Sequence, residues 1–385
     1  MQICICRISV EYKKLGDIAT YINGYAFKPE QRGSEGLPII RIQDLTGNAY
    51  DLGYYNGDYP KKIELNDGDV LISWSASLGV YLWNRGKALL NQHIFKVVFD
   101  KVEIDKFYFM YAVEYNLDKM SLKTHGATMK HITKKDFDNV VIPYPDLDYQ
   151  KDISYRLTSL KRIIEKYQEQ LDLLDELIKA RFVEMFGDPI ENQKDWEVVK
   201  IRDIVTDVRY GTSKPAVEGG RYPYLRMNNL TVDGDLDLND LKYIDIPDNE
   251  IEKCVVRKGD ILFNRTNSID LIGKTAVFNL LDDMVIAGYI IRIRLNNQIL
   301  PDVFSQYMNL EAMKKVLRGM AKGAVNQANI NAQELQSIKV YIPNMELQKQ
   351  YVEFKEEIDK SRSRIQKSLE ASQELFDSLM QEYFG

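Results

Sequence analysis

Two stretches of the chain carry apolar residues at alternating steps of three and four. In the first, Ile153, Leu157, Leu160, Ile164, Tyr167, Leu171, Leu174, Ile178 and Phe182 make an unbroken seam. In the second, Tyr351, Ile358, Ile365, Leu369, Phe376 and Met380 make a leaner one, interrupted by Lys355, Arg362 and Ser372. This spacing places one apolar stripe along an α-helix in the manner of a coiled coil. No Pro or Gly falls inside either run, and Glu, Gln, Lys and Leu, all helix-favouring, fill most other positions. Long helices are therefore predicted over residues 150–187 and 348–385, each roughly 57 Å long at about 1.5 Å per residue. Helices of that length are expected to pair with each other as an antiparallel coiled coil. Leu160, Ile164, Tyr167, Leu171, Leu174, Ile178, Ile358, Ile365, Leu369 and Phe376 would form the contact. The globular unit before each helix would then stand at opposite ends with approximate two-fold symmetry.

Ahead of each helix the pattern changes to short Val, Ile, Tyr and Phe-rich runs. Turn dipeptides punctuate them: Asn56-Gly57, Gly68-Asp69 and Gly86-Lys87 in the first unit, Gly219-Gly220, Asp233-Gly234 and Gly259-Asp260 in the second. These runs predict twisted β-sheet. Helical segments are predicted over 106–117 and 301–320, giving two α+β units, and residues 1–10 read as an early strand.

The second half replays the first. Gln150 to Gly187 aligns without a gap to Gln348 to Gly385 at an offset of 198, and Pro145 and Pro343 share that offset. Further upstream Leu15-Gly16-Asp17-Ile18 matches Ile201-Arg202-Asp203-Ile204. Pro38-Ile39-Ile40-Arg41 matches Pro223-Tyr224-Leu225-Arg226, Gly68-Asp69-Val70-Leu71 matches Gly259-Asp260-Ile261-Leu262, and Gly126-Ala127 matches Gly323-Ala324. Ordered matches of this kind indicate a tandem duplication in which loops vary and framework repeats. The expected organisation is a first globular domain over 1–149, a helix over 150–187, a linker over 188–195, a second globular domain over 196–347 and a helix over 348–385.

Composition narrows the function. With 385 residues, 45% of them hydrophobic and 28% charged, the chain has enough apolar material for two cores, and it has no apolar run long enough to cross a bilayer. Cys4, Cys6 and Cys254 form neither metal-spaced pairs nor a disulfide framework, and a cytoplasmic protein is expected. The net charge of -6 argues against indiscriminate coating of nucleic acid, so any DNA contact must come from local clusters. Three histidines, no phosphate loop, no nucleophile elbow and no zinc-helix motif leave no convergent catalytic set. His93, which precedes an apolar strand, is read as structural. The chain is expected to be non-catalytic, with no cofactor or metal of its own.

The residues best suited to read DNA lie beside the repeated framework positions. Lys123, His125, Thr128, Lys130 and His131 crowd around Gly126, while Lys322, Asn326, Gln327 and Asn329 surround its counterpart Gly323. After the Gly-Asp turns come Ser73, Ser75 and Ser77 in one copy and Asn264, Arg265 and Asn267 in the other. Arg41 and Gln43 likewise face Arg226, Asn228 and Asn229. Basic side chains can hold phosphate, and Asn, Gln, Arg and His can address base edges. Different polar sets on one framework are what two heads reading different half-sites require.

Taken together, the paired Pro145, Leu147, Gln150 and Pro343, Leu347, Gln348 lead-ins to a long helix, the GDVL and GDIL turns and the terminal Phe-Gly of each half resemble the specificity subunits of type I restriction-modification systems. The resemblance covers essentially the whole chain. It implies two target-recognition domains, each reading half of a split double-stranded DNA site, held apart by a helical spacer. It also implies docking of two methyltransferase subunits that carry S-adenosylmethionine and flip the target adenine, with motor-nuclease subunits joining for restriction. Two other readings stay open: a coiled-coil scaffold whose heads bind no DNA, and the recognition subunit of a type II-like methyltransferase.

Overall fold

A computed structural model describes residues 11–48, 51–123, 132–324 and 327–385. The residues expected to form an early strand, 1–10, lie outside this set. The chain divides into two units, Met1–Tyr167 with Ser368–Gly385, and Gln168–Lys367, so that each long helix contributes to both.

In the first unit, strands Thr20–Asn23, Ile94–Val98, Val70–Ser73 and Gly79–Leu82 form an antiparallel sheet in that order. A second sheet has the order Tyr54–Tyr55, Leu37–Ile40, Ala88–Leu90, Glu64–Leu65, with its central pair parallel. Glu11–Lys14 pairs with Val141–Tyr144, the strand that leads to the first long helix. Alternation along Val70–Ser73 divides the core. Val70 and Ile72 pack with Phe95, Tyr108 and Phe109, whereas Leu71 packs with Ile39, Leu89 and Ile94 on the other face. A strand buried on both faces in this way reads as the continuous apolar run seen in the sequence.

The second unit repeats the plan strand for strand. Val205–Tyr210, Ile290–Leu295, Ile261–Asn264 and Thr275–Val277 form one sheet, and Lys242–Ile244, Tyr222–Leu225, Met284–Ile286 and Val255–Val256 the other. Glu197–Lys200 pairs with Lys339–Ile342 before the second long helix. A further sheet, Thr266–Asn267, Gln327–Asn329 and Lys322–Ala324, is described in this unit. Gly68 and Gly259, the matched turn glycines, both take positive φ, +89° and +92°.

Two helices depart from expectation. The helix expected over 106–117 runs over Lys106–Lys123. The segment expected to be helical over 301–320 is two helices, Pro301–Asn309 and Glu311–Met320, separated by an extended Leu310. The break is fastened by Asn309: its Nδ2 donates to Thr275 O at 2.6 Å, and its Oδ1 accepts from Lys314 Nζ at 2.7 Å.

The long helices span Leu147–Phe186 and Met345–Phe384. Their lead-ins share one mechanism. Gln150 Nε2 donates to Pro145 O at 2.7 Å while its Oε1 accepts from Asp105 N at 2.9 Å. Gln348 Nε2 donates to Pro343 O at 2.8 Å and its Oε1 accepts from Leu300 N at 2.8 Å. A buried glutamine thus ties the strand end, the helix start and the preceding segment together, which is why the same residue recurs in both halves.

The predicted seam is the buried one. Leu171 and Ile178 are buried, and Leu160, Ile164, Tyr167, Leu174, Ile358, Ile365, Leu369 and Phe376 are half-buried. In the first unit the start of the first helix, at Ile153 and Leu157, shares a core with Met380 and Phe384 at the end of the second. In the second unit Tyr351, near the start of the second helix, packs edge-on against Phe182 at 5.4 Å and Phe186 at 5.5 Å, near the end of the first. Start meets end in both units, so the helices pair antiparallel.

The polar interruptions of the second seam are partnered. Arg362 pairs with Asp175 across the helices and with Asp235 at 2.5 Å. Lys355 lies 3.4 Å from Asp302 and 2.8 Å from Asp359. Ser372 Oγ turns back to Ser368 O at 2.7 Å.

Candidate nucleic-acid interface

Each unit carries an elbow between the parallel strand pair and the antiparallel sheet, and both elbows are closed by the same backbone bonds. In the first, Asn91 N donates to Ile40 O, Gln92 N to Tyr25 O and Trp74 N to His93 O, at 3.0, 3.0 and 3.3 Å. In the second, Ala287 N donates to Leu225 O, Gly288 N to Thr212 O and Arg265 N to Tyr289 O, at 2.9, 2.8 and 2.9 Å. The chain must approach closely here: a Cβ on Gly24 would sit 1.9 Å from Asn91 O, and one on Gly211 2.2 Å from Ile286 O. These two glycines were not matched from the sequence, although each directly follows a strand of the antiparallel sheet.

On the first elbow the structure brings two sequence-predicted groups together. Arg41 and Gln43 line one cleft of about 290 Å³ with Ser77, and Asn48, Gln92 and His93 are also in its lining. Gln43, Ser77 and Gln92 are exposed, and Ser75 is half-buried. The Arg41 guanidinium is held by Asp44, with Nε–Oδ2 at 3.0 Å and Nη2–Oδ1 at 3.3 Å. That bond, ahead of the opposing effect of burial, holds Arg41 above the usual arginine range.

In the second unit, Arg265, Asn267, Gln327, Asn329 and Lys322 are gathered by the three-stranded sheet. Arg265 Nη2 donates to Asn329 Oδ1 at 3.0 Å, and the guanidinium lies 5.0 Å from the Tyr210 ring centroid. Lys322 is exposed and pairs with Glu334, whose carboxyl it holds below the usual range. Arg226 donates to Asp240 Oδ2 at 2.7 Å, and Asn228 is exposed.

Three expected readers face inward. Ser73 is fully buried with Oγ donating to Ser77 O. Asn229 is buried, with Oδ1 accepting from Arg226 N at 2.8 Å and Nδ2 donating to Asp237 O at 2.8 Å. Asn264 is fully buried, donates to Thr266 O and Tyr289 O, and accepts from Asn267 Nδ2 at 2.8 Å. As they stand these side chains brace the loops. Of the remaining expected residues, His125, Thr128, Lys130, His131 and Asn326 lie outside the described set, and Lys123 ends the helix Lys106–Lys123.

Among the described residues there is no group of three or more His, Cys, Asp or Glu placed to hold a metal ion, and no helix long and apolar enough to cross a membrane.

The family model for the type I restriction modification DNA specificity domain matches the chain twice, over residues 8–174 and 193–373. The chain belongs to this family. It is 24% identical over 395 residues to the type I restriction enzyme EcoBI specificity subunit of Escherichia coli, covering 94% of this chain and 81% of that protein. It is likewise 24% identical over 376 residues to the MjaVIII specificity subunit of Methanocaldococcus jannaschii, covering 91% of this chain and 86% of the relative. In fold it resembles the S subunit of a type I restriction-modification system from M. genitalium, with a TM-score of 0.58 at 14% identity over 100% of this chain and 98% of the other. It is therefore a type I specificity subunit, a class whose role is recognition of DNA sequence.

Proposed function

We propose that the two units read the two halves of a bipartite, asymmetric duplex DNA target, one half each. The observation that carries this reading is the repeated elbow, in which one set of backbone bonds supports Asn91, Gln92 and His93 in one copy and Ala287, Gly288 and Tyr289 in the other. A common frame with different side chains supplies two different specificities in one chain. The paired helices act as the spacer, so that correctly separated half-sites are bound together and wrongly spaced ones are not.

The chain itself performs no chemistry in this reading. Two methyltransferase subunits, carrying S-adenosylmethionine, dock on it to modify adenine, and motor-nuclease subunits join for restriction, all in the cytoplasm. Docking finds support in exposed apolar residues of the first long helix, Tyr155 and Ile163 in the first unit and Leu173 and Leu177 in the second.

The test is duplex binding by the assembled complex as salt is varied. Wild type should bind with a steep negative dependence on salt. Lys322→Ala, which removes an exposed cation at the second interface, should weaken binding to all sequences and reduce the salt slope by about 1. A stable complex that binds no duplex DNA would instead favour the protein-scaffold reading.

A further inference from the structure

His93 has features that a structural histidine does not need. Its backbone lies at φ +72°, and that of Ala76, which lines the same cleft, at φ +59°. Left-handed backbone at a non-glycine residue is strained and tends to persist where function requires it. The elbow does not impose the strain: Tyr289 occupies the matching position, makes the matching backbone bond, and is not among the positive-φ residues.

The side chains around it are also under-used. His93 Nδ1 and Asn91 Oδ1 are buried with no hydrogen-bond partner among the described residues, a state that proteins rarely tolerate without a reason. The His93 ring is fixed edge-on to Trp74 at a centroid distance of 5.0 Å. It is only half-buried and lines the cleft, and Nδ1 is its enclosed nitrogen. Gln92 is exposed beside it, and the exposed Gln43 and Ser77 line the same cleft.

We propose that His93 and Gln92 form the base-reading edge of the first unit, His93 addressing a base edge in the groove through Nε2 and Gln92 through its amide, with the left-handed backbone aiming the ring. This rests on the two-headed reading above. Tyr289, half exposed at the matching position, would give the second unit a different preference from the same place.

The experiment is a binding selection with the full chain in its methyltransferase complex, using duplexes randomised in one half-site at a time. His93→Asn is the informative variant because Asn tolerates the left-handed backbone, and Gln92→Ala leaves that backbone untouched. Each should lower the preference for the favoured base by about tenfold at one or two positions of one half, with the other half and the gap unchanged. Gln327→Ala, on the hairpin of the second unit, should affect the opposite half. Unchanged preference at every position, or an equal loss in both halves, would overturn the assignment of His93 and Gln92. A wild-type complex with no sequence preference at all would instead overturn the two-headed reading itself.

Discussion

Replacing Arg362 probes how a polar residue can occupy a helix seam. The guanidinium lies between Asp175 of the first long helix and Asp235 of the adjoining loop, and the Arg362 and Asp175 side chains are each only 22% exposed. Burial disfavours the charged forms of both Arg362 and Asp235, so each charge is costly there without an opposite charge beside it. Arg362→Ala leaves two carboxylates facing each other in a partly dry site. Breaking a fully buried pair costs about 3–5 kcal/mol, and the residual exposure here reduces that to about 2 kcal/mol. In a unit of about 200 residues each kcal/mol moves the midpoint by about 2–4 °C, so the variant should melt about 4–8 °C lower. Replacing both partners, Asp175→Leu with Arg362→Leu, restores an apolar seam and should recover most of the loss, since such swaps are often neutral or better. Thermal unfolding by circular dichroism, run on the singles and the double, gives the coupling between the sites. A single variant within 1 °C of wild type (a shift far below the ~4 °C floor), or a double variant no better than the single, would refute the reasoning.

The aromatic junction should be more sensitive still. Phe182 is fully buried, with Phe186 at 4.9 Å and Tyr351 at 5.4 Å, and Phe182→Ala should cost about 3–5 kcal/mol in urea unfolding, whereas the exposed Leu173→Ala should stay within about 0.5 kcal/mol. Lys314 gives a pH signature: burial, with Lys274 nearby, brings its ammonium from 10.5 down to about 7. Between those values the unfolded chain keeps a proton that the folded unit has released, so stability rises with pH across the window, at up to about 1.4 kcal/mol per pH unit, and the benefit is lost as pH falls to 7. Chemical denaturation at pH 7, 8 and 9 should show that slope in wild type and not in Lys314→Met; equal slopes would count against a depressed Lys314.

The long helices were legible because a coiled-coil seam writes its period directly into the sequence, and every expected pairing residue from Leu160 to Phe376 is buried or half-buried. The duplication was legible for a related reason. Gln150 and Gln348 each satisfy backbone groups that no apolar residue could satisfy, so the residue type recurs. What the sequence hid is direction. Ser73, Asn229 and Asn264 have the chemistry of readers, but in a tight loop the same groups bond the backbone, and only their burial distinguishes the two uses. The left-handed φ of His93 was hidden too: it is a property of the folded elbow and has no signature in residue type. The break at Leu310 was hidden as well, because helix-favouring residues flank it and the fastening bonds from Asn309 reach Thr275, distant in sequence.

The most direct measurement is to co-express the chain with its modification subunit and map methylated adenine across the host genome by long-read sequencing. The expected result is a single split motif with a fixed gap, absent when either protein is omitted. Methylation at an undivided motif, or none despite a stable complex, would contradict the assignment of one half-site to each unit.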